Sequence, residues 1–254
     1  MPVTKYQNYY DVGKAGQIAT LEATNIKTRN AQQAIEFGVG VLDGDSPGVN
    51  VVNVRQSQAS LTYDSDFVVD NTIKLTVNGQ STIPILFSSD QATTFGALVS
   101  EIDSLVGVTA TDGGGRTINI SLDDGTENIT LSDFVVTGGA SQPVGTVDYL
   151  TATDFAGITV IRHGQPITIG GDDLYQVNDA VNVLTKGVVW VPVVSTVAVN
   201  DQVYLYADKA NPTAQGKFTN VSTNNVQVVT GKFVTSATGT VETPALAQVE
   251  INQP

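Results

Sequence analysis

Cysteine is absent from the 254 residues, which excludes disulfides, thiolate metal sites and cysteine nucleophiles. Histidine occurs once, as His163, too few for the His clusters that zinc sites use. Charge is scarce: 15% of the residues are Asp, Glu, Lys or Arg, against about 25% in ordinary globular domains. Basic residues are scarcer still, 12 against 25 acidic ones, for a formal net charge of -13. No Lys/Arg cluster interrupts that acidic field, so nucleic acid is not expected as a partner. No run approaches the roughly 18 apolar residues that a membrane-spanning helix needs, and no membrane contact is expected. The opening "MPVTKYQNYYDVGKAGQ" carries no apolar targeting core, which points to synthesis in the cytoplasm.

What is present is a 41% hydrophobic fraction, enough for a core, with polarity supplied by Thr, Asn, Ser and Gln. That composition favours strands and turns over exposed helices. The segment "AQQAIEFGVGVLDGD" (31–45) shows the pattern: Ile35, Phe37, Val39 and Val41 alternate with Glu36, Gly38 and Gly40. A period of two reads as a short strand running into a turn. The glycines pack nothing in a strand, so they mark either a site or a surface approached by another backbone. Before this strand, residues 1–30 read as an extended arm with Tyr6, Tyr9 and Tyr10 close together and no helical face. Such an aromatic arm packs on its own domain or on a neighbour.

From about Gln58 the character changes. "TIKLTVNGQSTIPILF" places Asn78-Gly79 between two alternating runs, the strongest short hairpin signal. Phe95, Leu98, Val99, Ile102 and Leu105 then form one helical stripe, with Ser88, Ser89 or Asp90 available as the cap, Thr94 as a later option, and Gly107 as the stop. "RTINISL", the turn Asp123-Asp124-Gly125 and "ENITL" suggest a second hairpin. The expected fold is therefore mainly β: a small β barrel or sandwich carrying an inserted α+β domain of hairpin, helix and hairpin. The expected domains are 1–57, an arm and first strands; 58–147, the insert; and 148–254, the remainder of the β domain. In that last part, Val177-Asn178-Asp179-Ala180-Val181 is echoed by Val199-Asn200-Asp201-Gln202-Val203, each with an Asn-Asp turn before a β-rich run.

No chemistry assembles on these elements. His163 has no Gly-x-Ser-x-Gly elbow to partner, and it reads as a turn histidine beside Gly164. Asp43 and Asp45, Asp123 and Asp124, and Asp172 and Asp173 sit beside Gly or Asn and read as turn formers. "DSDFVVD" (64–70) and "GGDD" (170–173) match no calcium-loop pattern. "DGGGR" (112–116) and "IGGDD" (169–173) lack phosphate-loop spacing. No enzymatic activity, metal or cofactor is expected. Trp190 alternates within "KGVVWVPV" as a core residue would.

The order of these features resembles the structural cement, or head-decoration, proteins of tailed bacteriophages. The resemblance rests on "YYDVGKAGQIATLEA" followed by "QAIEFGVGVLDGD", and on "VNDAVNVLTKGVVWVPVVSTVAVNDQVYLYAD", "QGKFTN" and "TGKFVTSATGTVETPALAQVEI". It covers residues 6–45 and 150–254. The middle segment stands outside the pattern, and the turns at 178–179 and 200–201 read Asn-Asp where the family often has Gly-Asp. The resemblance implies a non-enzymatic protein on the exterior of the capsid. It would bridge neighbouring major capsid subunits and often form a homotrimer. Tyr6, Tyr9, Tyr10, Phe37, Gly38 and Gly40 are then the candidate interface residues. A head-fibre base or tail adhesin that binds a host surface is the alternative.

Overall fold

The computed structural model describes residues 13–20, 24–44, 46–123, 127–150, 154–161, 174–223 and 225–253. The chain is mainly β, as its composition suggests, with 21 strands, one α-helix and one 3-10 turn among those residues. It divides into two compact units, Met1–Val54 with Thr153–Pro254, and Arg55–Ala152.

The first unit is organised by one 14-residue strand, Ala180–Val193. Its sequence is rich in Val, and most of its residues are buried in an almost unbroken run. Continuous burial requires cover on both faces, and the topology supplies it. One circuit of hydrogen-bonded strands runs Asn25–Ala31, Asn50–Asn53, Gly40–Asp43, Phe155–Thr159 and back to the long strand. A second runs from the long strand through Phe218–Thr219, Gln202–Leu205, Val226–Phe233 and Ala245–Asn252, and returns to it. The two closed five-stranded rings share one strand. The change of partner falls at Lys186, which opposes Asn25 in one pairing and Asn252 in the other. Closure leaves neither end of the nine-strand path as a free edge, so this sheet offers little to edge-to-edge aggregation.

The alternation from Ile35 to Val41 predicts one strand, and the structure makes two, Ile35–Glu36 and Gly40–Asp43. The break lies at Gly38, whose φ of +74° is a left-handed conformation that an extended strand does not contain. The buried pattern survives because Ile35, Val39 and Val41 still face the core.

The second unit holds two small sheets and the helix. Gly145–Leu150, Gln58–Tyr63, Thr117–Leu122 and Val108–Gly114 form one sheet in that order. Leu131–Thr137, Thr72–Val77 and Gln80–Ser81 form the other, with Ile85–Leu86 also pairing Thr72–Val77. Asn78 and Gly79 both have positive φ, +44° and +79°, and close a two-residue hairpin in which Val77 opposes Gln80. This is the turn geometry that matches strand twist. Gln91–Asp103 is the helix; the Asp90 carboxylate caps it by accepting from the Thr93 N–H at 2.8 Å. Phe95, Leu98 and Ile102 are buried, Val99 is half-buried, and Leu105 lies beyond the helix end.

The second expected hairpin does not form. Thr117–Leu122 pairs instead with Val108–Gly114 through the glycine turn of "DGGGR", while Leu131–Thr137 belongs to the other sheet. The segment after Leu122 is thus a crossover between sheets, a distinction that alternating strands with a turn between them do not encode.

Candidate functional site

The quoted strand and the arm come together in the first unit. Residues 16–19 lie along the long strand: the Gly16 N–H donates to the Trp190 carbonyl at 2.8 Å, the Trp190 N–H to the Gln17 carbonyl at 2.9 Å, and the Ala19 N–H to the Val188 carbonyl at 2.8 Å. Gly13 rests on the Trp190 indole, so Trp190 is covered by the arm as well as set in the sheet. On the other side the Ile161 N–H donates to the Gly16 carbonyl at 3.0 Å.

Gly38 makes this seat. A Cβ there would stand 2.8 Å from the Ala15 carbonyl carbon, and nearer still to the Gly16 nitrogen. The backbone that approaches Gly38 is therefore this chain's own arm. Gly40 serves a different contact: a Cβ on it would meet the Leu205 side chain, with Cδ1 at 2.7 Å. Both glycines are buried within the chain. Phe37 is half-buried and meets Tyr175 edge to face, with ring centroids 4.9 Å apart. The Tyr175 hydroxyl donates to the Val160 carbonyl at 2.6 Å and accepts from the Asn182 N–H at 3.2 Å, which fixes the ring against which Phe37 packs. Tyr6, Tyr9 and Tyr10 lie outside the described residues, as do His163, Asp45, Asp124, Asp172 and Asp173.

Several of the described acidic residues are held in hydrogen bonds within turns or between neighbouring strands. Asp43 accepts from the Gly48 N–H at 3.1 Å, Asp112 from the Gly114 N–H at 2.8 Å, and Asp123 from the Thr109 hydroxyl at 2.8 Å. Hydrogen bonds led by the one from the Val144 N–H hold the Asp64 carboxyl below its ordinary range. Burial pushes the Tyr63 phenol well above its ordinary range. The groove on the sheet that contains Gln58–Tyr63, about 340 Å³, is lined by Gln58, Ala59, Thr109, Thr111, Asn119, Ile120, Ser121 and Leu150, all uncharged. Among the described residues no group of three or more His, Asp or Glu side chains could hold a metal ion. General acid–base work needs titratable groups that converge, and the lining of this groove supplies none.

Sequence comparison names the class of this module of two closed rings that share a strand. The sequence pattern of the structural cement protein family (E217 gp24/Pam3 gp6) matches residues 68–252. The chain belongs to this family of phage structural cement proteins. The match begins within the middle segment and runs on to residue 252. A chain in the solved structure "The capsid of Myoviridae Phage XM1" is 13% identical, with 99% of this chain and 97% of that chain covered and a TM-score of 0.46. No curated protein matches the chain.

Proposed function

We propose that this protein is a non-enzymatic decoration protein that binds the exterior of a tailed-phage head and bridges neighbouring major capsid subunits. The observation that carries the reading is membership of the structural cement family over residues 68–252. The first unit supports it. A cement must hold its contacts at fixed separation while the shell strains, and two rings closed on one shared strand deform less readily than open sheets. The net charge of -13 disfavours contact with packaged DNA and fits an outer position.

In this reading Tyr6, Tyr9 and Tyr10 are the aromatic anchors of the contact, since such rings supply much of the energy of protein interfaces. Gly38 and Gly40 act behind them, Gly38 by seating residues 13–19 and Gly40 by admitting Leu205. Phe37 is the half-buried edge of that seat. Self-association, as a trimer, multiplies a modest contact per chain into firm attachment.

The test uses particles made without the protein. Adding the purified chain should restore their resistance to heat-induced DNA release, and a chain lacking residues 1–12 should bind more weakly while keeping its β circular dichroism. Particles that neither bind the chain nor gain heat resistance would refute the proposal.

A further inference from the structure

The first unit contains one device twice. In the first copy, the strand ending at Ala31 continues after three residues into Ile35–Glu36, which pairs with Leu174–Tyr175. In the second, the strand ending at Phe233 continues after three residues into Ala237–Thr238, which pairs with Thr196–Val197. The registers agree: Tyr175 opposes Ile35, and Val197 opposes Ala237.

Each short pairing leads into the same turn, Gln176-Val177-Asn178-Asp179 or Ala198-Val199-Asn200-Asp201. The Asn φ values are +68° and +69°. The Asp N–H donates to the carbonyl three residues back at 3.0 and 3.1 Å, and the Asp carboxylate accepts from that residue's N–H at 2.8 and 2.9 Å. Each turn then clamps the last residue of the neighbouring strand. Asn178 donates to Ala31 at 2.7 Å and Ala31 to Asp179 at 3.0 Å; Asn200 donates to Phe233 at 2.8 Å and Phe233 to Asp201 at 3.2 Å.

The tips match too. Val177 is 53% exposed and Val199 54%. Asn and Asp account for the turn itself, through the left-handed backbone and the side-chain hydrogen bond. The valines are not needed for it, and a half-exposed apolar tip at both places is left without an intrachain purpose.

The topology sets these tips apart. The first turn leads directly into Ala180–Val193. Phe218 runs parallel to that strand at Val193, and Leu205 runs antiparallel to Phe218. The strand after the second turn therefore runs against the shared strand, and its leading turn lies beyond the shared strand's C-terminal end. The two turns stand at opposite ends of a 14-residue strand, which fully extended would span roughly 46 Å.

The geometry points to a bidentate contact in which the Val177 turn and the Val199 turn grip the same surface feature on two copies of one partner protein. It rests on the capsid-binding reading above and gives the bridge its two feet. One protein repeated across a lattice presents such a feature many times, and two like turns facing opposite ways suit two neighbouring copies of it. The second foot would then bind at high effective concentration once the first is down.

The experiment measures binding of the full chain to particles that lack it, for the unsubstituted chain, Val177→Asp, Val199→Asp, the double variant and, as a control in the second unit, Val106→Asp. Val106 is 84% exposed. Each single variant should lose about a hundredfold in apparent affinity, the two to the same level, because either change removes the gain from two-point attachment. The double variant should fall further, to the level that the N-terminal arm alone supports, and Val106→Asp should bind like the parent. Melting temperatures verify the fold, and Val177→Ser and Val199→Ser must repeat the order with smaller losses. The inference fails if only one of the two turns matters, if neither does, or if the control is equally damaging. An unsubstituted chain that does not bind refutes the capsid reading itself and this inference with it.

Discussion

The two units solve the same problem in opposite ways. The first builds its core from segments far apart in the chain: Asn25–Ala31 pairs with residues 180–186, and Gly40–Asp43 with Phe155–Ile158. The second is drawn from one continuous stretch, Arg55–Ala152. Its hairpin at Asn78-Gly79, its helix and the following hairpin succeed one another, while Gln58–Tyr63 with Gly145–Leu150 and Thr72–Val77 with Leu131–Thr137 close longer loops inside it. Its core gathers Leu61, Ile73, Leu75, Leu98, Ile102, Ile118, Leu131 and Val136 from that stretch alone. A contiguous unit needs no distant segment to close its core, whereas the shared-strand rings must join both halves of the chain. The difference predicts that the second unit folds alone and that the first needs both halves of the chain.

The largest expected effect comes from Leu98→Asp. Leu98 is wholly buried in the second unit, and a carboxylate there costs about 3–5 kcal/mol. Hydrogen exchange should show residues 58–122 losing protection while the strand Ala180–Val193 keeps it. Loss of protection in both would erase the distinction. In the same spirit, an isolated fragment of residues 58–147 should give a dispersed NMR spectrum.

Next in size is Gly38→Val. It puts a β-branched side chain at φ +74° and against the Ala15–Gly16 backbone, a combination costing about 2–4 kcal/mol. Here the first unit should respond: protease should cut near residues 13–19 and the melting temperature fall, with the second unit unchanged. Smaller still are the two Asn turns. Asn178→Ala and Asn200→Ala should each cost about 1 kcal/mol, and the Gly replacements almost nothing, because glycine accepts the left-handed backbone freely. Unequal losses at the two turns would weaken their equivalence.

These positions also show what the sequence makes legible. The Asn78-Gly79 hairpin, the helical stripe and the Asp90 cap are readable because the residues that form them lie within a few positions of each other. The echo of 177–181 at 199–203 is visible as well. Its structural completion is not, since Ala31 corresponds to Phe233 and Ile35 to Ala237, different side chains in reversed chain order. Ring closure on Ala180–Val193 leaves only the trace of a long, doubly buried Val-rich strand. At the site, the glycines at 38 and 40 signal close approach, but nothing in their neighbourhood tells that Ala15, Gly16 and Leu205 are what approach.

The smallest effect is on pH. Hydrogen bonds, first from the Thr93 N–H and then from the Ser89 and Thr93 hydroxyls, hold the Asp90 carboxyl below its ordinary value of 3.8. A depressed folded value means that the contribution is complete above that ordinary value and is lost as pH falls through the lower one. Asp90→Ala should therefore lower the melting temperature of the second unit slightly at pH 7, with the difference from the parent shrinking toward pH 3. A difference that grows on acidification would contradict the capping role.

The central claim is that this chain cements a capsid from outside. Cryo-EM reconstruction of the particle with and without the protein tests it most directly. The account predicts density on the outer surface at junctions between capsomers, each copy reaching two neighbouring capsid subunits and absent from the deletion particle. Density found only on the tail or on a portal-associated fibre, with the head unchanged by the deletion, would contradict it.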